Sequence, residues 1–529
     1  MTHDYVVVGA GAAGCVLAYR LTADPGVSVL LVEAGGRGRS PVLTVPRAFP
    51  YALRSDRHVH RYPTRASEGV PAGWWTRGRG LGGSTAVNGL MYVRGADADF
   101  DALADVVGPS WDAAAFRRAY LALEDHALGG SGSRGVGGPL AVSVPSSDDE
   151  VVTALMGAAL RRGARLATDF NDADDERIAF TPATIDRGRR VSAATAFLRP
   201  ALRRPNLTVV TGARATRVLL RGTRAVGVEL RRGSRVEQVH ARREVLVAAG
   251  AVESPLLLER SGVGRPDVLR AAGLDVVVPH ERVGEGVVEH RAISLQVRLG
   301  RPLGLTARLA SRSGRVRETA RYLATRQGPL ATSGYDVVSA HRSDPGLPRP
   351  DVQGVWVPVA VDETAPDLRP APYSGLLFTG YALRPTTAGS IHVTHADPDA
   401  PPAVEPRYLE DPAERAATAA ALAHARDLVA ESDLAPDVVG EVFPGDDLQD
   451  PDAIAAHARA HGGGVYHAVG SCAAGTDDTA VLDPALRVRG TEGLRVVDAG
   501  ALPHQVSGNT AAPVMALAWL AADHLAGGH

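Results

Sequence analysis

The 529-residue chain contains no lysine, so all 57 of its basic residues are arginine. Without an ε-amino group it can carry neither a pyridoxal-phosphate Schiff base, nor a phosphate-loop lysine, nor a Ser–Lys dyad. Cysteine is nearly as scarce. Cys15 and Cys472 build no disulfide framework, and Cys15 is expected as a small buried apolar residue. A Gly-x-Ser-x-Gly elbow is missing, which removes support for a serine hydrolase. No Cys, His or Asp spacing completes a metal site around His58-Val59-His60, so alternation on a strand explains that fragment better. Charge of one sign is not in excess: the net charge of −2 gives no field that would draw nucleic acid or an anionic membrane. The apolar runs are too short to span a bilayer. The N-terminal run reads as a first strand rather than a signal peptide. A cytoplasmic protein with no nucleic-acid or membrane partner is the expectation.

What is present begins at once. Tyr5-Val6-Val7-Val8 enters Gly9-Ala10-Gly11-Ala12-Ala13-Gly14, a helical stretch follows, and Val29-Leu30-Leu31-Val32 ends in Glu33. Strand, Gly-x-Gly-x-x-Gly turn, helix, second strand and acid in this order form a dinucleotide-binding βαβ unit. Gly9 permits the tight turn, Gly11 lets main chain approach a pyrophosphate, and Gly14 lets helix pack on strand. Ala12 and Ala13 open the helix, whose free N–H groups face the phosphates. Glu33, 19 residues after Gly14, can accept from both ribose hydroxyls and would repel a 2′-phosphate. The unit alone does not separate NAD from FAD. Its N-terminal position and the small residues Ala34-Gly35-Gly36 lean toward FAD.

The length implies two domains. Apolar periodicity predicts helices over 111–123, with Leu103, Phe116, Tyr120 and Leu123 in the core, and over 149–162 behind a Ser-Ser-Asp-Asp cap. Strands are expected at 207–211, 215–221 and 225–231. A short buried strand at 244–248 should run through Gly250 into a helix over 254–260. The stretch 129–138, rich in Gly and Ser, is expected to be a mobile loop. From about 291 to 460 the character changes. Pro-rich turns alternate with strand-like runs at 355–361 and 390–394, and an Ala/Arg helix covers 412–430. The arginine-rich stretch 308–326 reads as a solvated amphipathic helix rather than a site for an acidic partner. Near the end, 494–500 reads as a strand closing in Asp and Gly, and 510–525 as an apolar helix that returns to the cofactor sheet.

Two longer patterns carry a family resemblance. Gly78-Arg79-Gly80-Leu81-Gly82-Gly83-Ser84-Thr85-Ala86-Val87-Asn88-Gly89-Leu90-Met91 and Gly250-Ala251-Val252-Glu253-Ser254-Pro255 resemble the two signatures of the glucose–methanol–choline (GMC) flavoprotein oxidoreductases. Glu289-His290, Leu383-Arg384-Pro385, Tyr466-His467-Ala468-Val469-Gly470 and Ser507-Gly508-Asn509-Thr510 are further matches, in order. The resemblance implies an α/β fold: a Rossmann-type FAD-binding domain with a discontinuous substrate domain built on an antiparallel sheet. The expected division is 1–140, 185–290 and 461–529 for FAD, and 141–184 and 291–460 for substrate.

The resemblance also implies cofactor contacts at Gly82, Gly83 and Ser84, at Asn88, Gly89 and Met91 beside the flavin, and at Ala215 near the adenine. Ala249, Asp498, Ala499, Asn509 and Thr510 complete the set. Ala86-Val87 stand where some relatives attach flavin through a histidine, so non-covalent FAD is expected. The catalytic pair maps onto His467 and Asn509. A neutral imidazole suits removal of a hydroxyl proton while hydride moves from carbon to flavin N5, and the Asn amide can hold the alcohol oxygen. The implied reaction is oxidation of a small-molecule alcohol to a carbonyl, with oxygen or another electron acceptor. The alternatives are a hydroxynitrile-lyase-like or photodecarboxylase-like member. Ser471 replaces a more usual Thr, and His504 is left open as a pocket or an exposed residue.

Overall fold

The computed structural model describes residues 2–362 and 369–527, so Met1, residues 528–529 and six residues of the 291–460 stretch lie outside it. The N-terminal unit forms as its pattern dictates. Thr2–Val8 and Val29–Glu33 pair in parallel, with Val6 opposite Leu30 and Val8 opposite Val32. Leu207–Thr211 adds on the far side of Val29–Glu33, and Arg235–Val247 and Leu494–Val496 extend the other edge, all parallel. This is the Rossmann-type layer. The helix Ala12–Leu21 buries Cys15, Val16 and Leu17 completely. The helix Ala511–Ala526 packs against it, carrying Met515, Leu517 and Trp519 into the same core. Helices buried on most of their circumference read as apolar all round rather than as one stripe.

One expected strand is much longer than its sequence pattern suggested. The reading at 244–248 caught the end of Arg235–Val247, whose first part is exposed or half-buried except at Val239. That part leaves the parallel layer and pairs antiparallel with Arg224–Arg232, which pairs with Arg214–Arg221. Solvent on one face of this three-stranded extension permits the arginines that hid it.

The second large sheet runs in the order Val438–Phe443, Ile293–Leu299, Ser374–Ala382, Val352–Val357, Val337–His341, Arg177–Phe180, Arg165–Leu166. It is antiparallel except for its last pair. The helix Pro412–Ala430 lies against its centre, started by Asp411, whose side chain accepts from Ala413 N, and by Pro at the first position. Glu150–Arg161 begins in the same way on Asp149. A third sheet joins Glu285–Val287, Gly389–His392, Ala403–Glu405, Val59–Thr64 and Gly73–Gly78. It mixes strands from both kinds of segment.

Two local expectations change. The stretch 308–326 breaks at Ser311 into Gly304–Ala310 and Arg312–Thr325, because Ser311 Oγ caps the second helix through Gly314 N. The second helix buries Gly314, Glu318 and Tyr322 and exposes its arginines. The Gly/Ser stretch is tied down rather than loose. Gly135 N donates to Glu124 Oε2 (3.2 Å), His126 N to Gly135 O (3.0 Å), and Arg134 reaches Asp172 (3.1 Å). Two of its glycines answer close approach: a Cβ on Gly135 would sit 2.2 Å from Leu121 O, and one on Gly138 2.4 Å from Leu123 C.

Candidate active site

Between the layers runs a continuous cavity of about 1050 Å³. One end is made of main chain. Gly9, with φ +103°, turns the chain where a Cβ would lie 2.4 Å from Ala248 O. A Cβ on Gly14 would meet Gly9 O at 1.8 Å, so helix and strand touch only because it is absent. At Gly11 a Cβ would meet nothing within 4 Å; that face is open cavity. Three helix N-termini reach the wall: Ala12 and Ala13, Gly250 and Ala251 after Ala249, and Ala511 after Thr510. Converging N-termini favour an anionic group. A pyrophosphate fits an open glycine face of this kind, and the residues present suit FAD.

The predicted residues divide into walls and supports. Gly9, Gly11, Ala12, Ala13, Glu33, Ala34, Gly83, Ser84, Asn88, Gly89, Met91, Ala215, Ala249, Asp498, Ala499, Asn509, Thr510 and His467 all line the cavity. Gly14 and Gly82 do not; Gly82 N donates to Ala10 O (2.8 Å) and ties the two glycine turns together. Glu33 is less free than its position promised. Its Oε2 accepts from Ala10 N (3.0 Å), and its Oε1 from Gly35 N (2.7 Å) and Gly80 N (3.0 Å). With about four acceptor directions on a carboxylate, one is left for a ribose hydroxyl rather than two. Asp498 turns its carboxylate inward, onto Gly250 N (2.8 Å), Ser254 Oγ (2.5 Å) and Gly500 N (2.8 Å). Burial raises its pKa. What it offers the cavity is main chain. Cys15 and Cys472 are buried, and burial pushes both thiols up.

The other end is made of side chains. Tyr466 has φ +69°, a strained conformation of the sort that gathers at functional sites, and delivers His467 to the wall. His467 Nε2 lies 3.0 Å from Asn509 Nδ2, and its Nδ1 lies 3.0 Å from His290 Nδ1. Gln353 Nε2 donates to Tyr381 OH (2.6 Å) and to Asn509 Oδ1 (3.4 Å), which fixes which way the Asn amide faces. Beneath, Glu289 Oε1 accepts from the main-chain N–H of His467 (2.6 Å) and of His290 (3.1 Å), and Arg77 pairs with Oε2 (3.3 Å). Burial lowers the His467 pKa well below the usual value, helped by His290 and Arg77. Burial alone outweighs Arg77 at Glu289 and raises its pKa. Phe49, Ser294, Tyr335, Leu377 and Thr379 complete this end of the cavity.

Sequence reasoning named His290 without a role and passed over Gln353, Tyr381 and Arg190. Arg190 is buried, donates to Asn88 Oδ1 (2.8 Å) and Thr85 O (3.2 Å), and is pulled down to about 9 by burial. No spacing could have found it, since its partners lie about a hundred residues away. His504 is neither wall nor exposed; it is half-buried, 3.3 Å from Gln505 O. His60 sits on the strand Val59–Thr64, and His58 just precedes it.

A Rossmann-type layer and an antiparallel sheet enclosing a cavity of this make define an FAD-binding oxidoreductase. Family models for GMC oxidoreductase match residues 3–292 and 385–518, and the chain belongs to that family. It is 37% identical to an uncharacterised GMC-type oxidoreductase of Mycobacterium tuberculosis over 98% of both chains. It is 36% identical to the mitochondrial choline dehydrogenase of Homo sapiens, over 99% of this chain and 90% of that one. The crystal structure of pyridoxine 4-oxidase from Mesorbium loti superposes with a TM-score of 0.88 at 28% identity, covering all of both chains. The enzyme class is thereby an FAD-dependent oxidoreductase acting on CH–OH donors. Among the described residues no helix is long and apolar enough to cross a membrane.

Proposed function

We propose that the chain oxidises a small-molecule alcohol to the carbonyl, with His467 as proton acceptor and Asn509 as the group that holds the oxygen. The observation that carries this reading is the 3.0 Å pairing of His467 Nε2 with Asn509 Nδ2 at the cavity wall. An alcohol oxygen placed on the cavity side, against both nitrogens, would give its proton to the imidazole and accept from the second amide N–H. Held along the wall at Gly9, Gly11, Gly83, Ser84, Asn88 and Gly89, FAD would supply the hydride acceptor, and oxygen or another acceptor would reoxidise it. Burial keeps His467 neutral and ready to take a proton, while Glu289 Oε1 holds its main-chain N–H in place. Ala86 and Val87 offer flavin no nucleophile, so the cofactor is held without a covalent bond. The cofactor-binding part is read as 1–140, 185–290 and 461–529, and the substrate part as 141–184 and 291–460.

Anaerobic absorbance titration of the purified holoenzyme with a panel of alcohols tests the reading. Bleaching of the flavin by an alcohol in the dark, lost in His467→Ala, is the expected result. A flavin that no alcohol bleaches would overturn it and favour lyase or photochemical use of the cofactor.

A further inference from the structure

Two groups without an assigned task meet behind His467: the side chain of His290 and the main chain at Leu383. His290 is fully buried. Its Nε2 lies 2.9 Å from Leu383 O and its Nδ1 lies 3.0 Å from His467 Nδ1. The two rings stand at 89° to each other, and Tyr381 packs on His290 with centroids 4.7 Å apart. Arg77, Glu289 and Tyr381 are the charged or titratable groups around the pair.

We infer that His290 is a positioning residue that locks His467 into the tautomer with its lone pair on Nε2. A carbonyl oxygen only accepts, so Leu383 O requires the proton of a neutral His290 to sit on Nε2. The opposite placement would set two lone pairs against each other at 2.9 Å inside the protein. His290 Nδ1 is then an acceptor. The 3.0 Å gap to His467 Nδ1 holds one proton, and that proton belongs to His467. The chain therefore runs Leu383 C=O, H–Nε2 His290 Nδ1, H–Nδ1 His467 Nε2. Its end is a lone pair on Nε2, which accepts from Asn509 Nδ2 (3.0 Å) and faces the cavity. Both ring nitrogens are distinct in use, and the bond made by one decides the state of the other. When Nε2 takes a proton, the Nδ1–H bond to His290 persists, so the imidazolium forms without any ring rotation. A hydrophobic residue at 290 would remove the acceptor for Nδ1–H and leave the tautomer to Asn509 Nδ2 alone, which faces Nε2 at 3.0 Å.

The inference rests on the proposed role of His467 for its kinetic consequence, but the tautomer itself is read without substrate. Nitrogen-15 NMR of the holoenzyme labelled at histidine, with His467 assigned by difference against His467→Asn, is expected to show Nδ1 protonated and Nε2 bare. The opposite pattern in the unmodified enzyme would overturn the inference whatever the alcohol panel shows. His290→Leu leaves Asn509 as the remaining hold on the tautomer, and is expected to raise the share of His467 protonated at Nε2. Flavin reduction should slow by about tenfold, less than the loss of about 10²–10⁴-fold on removing the base itself, with little change in substrate affinity. His290→Asn, which puts an amide oxygen near the place of Nδ1, is expected to recover most of the rate. Equal rates and unchanged nitrogen shifts in His290→Leu would also overturn it. A panel that bleaches no flavin while the Nδ1–H tautomer is present would sink the proposed reaction and leave the lock standing.

Discussion

The two ends of the cavity are built by opposite means. At the end proposed for the dinucleotide, the wall offers main chain: glycines that admit close approach, three helix N-termini, and a carboxylate at Glu33 spent mostly on holding loops together. Asp498 turns its carboxylate away from the ligand space, onto Gly250 N and Ser254 Oγ. At the reaction end the wall is side chain. His467, Asn509, Gln353, Tyr381 and His290 form one hydrogen-bonded and stacked group whose members come from four distant parts of the chain. The difference follows from what each end must do. A phosphate and a ribose need fixed donors, which backbone gives at no side-chain entropy cost. Proton transfer needs a group whose protonation state can be set, and backbone has none.

That contrast can be broken first where it is strictest. Gly14→Ala would push a methyl group to 1.8 Å from Gly9 O. Overpacking of well-packed sites costs about 1–3 kcal/mol and more against rigid backbone, so no stable FAD-loaded protein is expected. The checks are melting temperature and the ratio of flavin to protein absorbance. His467→Ala makes the reverse demand. It should leave FAD bound and the fold intact while flavin reduction by alcohol falls about 10²–10⁴-fold, measured by anaerobic stopped flow. Gly11→Ala falls between. Its φ of −80° suits alanine and nothing lies within 4 Å, so the fold should survive and FAD affinity should drop because the methyl enters the ligand space. If Gly11→Ala destabilised the apoprotein as much as Gly14→Ala, the division between wall and support would be wrong.

The same contrast decides how much could be read in advance. The dinucleotide end was legible because its parts are contiguous and each glycine has a steric reason within a few residues. The parallel strands, the terminal helix and the helices at 111–123 and 149–162 came through for a similar reason, their apolar pattern being local. The long strand Arg235–Val247 was cut short because one face of its first half is in water. The freedom assigned to Glu33 was too great because three donors arrive from turns that no local pattern brings together. At the reaction end, His467 and Asn509 were reachable through motif context alone. Gln353, Tyr381 and Arg190 were not, since each is defined by partners far away in sequence. His290 and Leu383 stood inside matched motifs, and those matches were the available signal.

The remaining expected effect, confined to acid pH, is on stability rather than rate. His290 is held down to about 4, chiefly by burial, and His424, stacked on His341 at 3.8 Å far from the cavity wall, is held to about 4 as well. For a base whose folded pKa is depressed, the unfolded chain binds the extra proton. Stability is then fully present above pH 6.5, the ordinary histidine value, and is lost as pH falls from there toward 4. Each such histidine contributes a slope of about 1.4 kcal/mol per pH unit in that window at most. Melting temperature should accordingly drop steeply between pH 6.5 and 4 and stay level from pH 7 to 9. His424→Asn should flatten the acid limb by one histidine's share and leave flavin reduction untouched. Changes at His290 should alter both. A variant at His424 that slowed reduction would join the stacked pair to the reaction end, and the separation of the two histidine pairs would have to be given up.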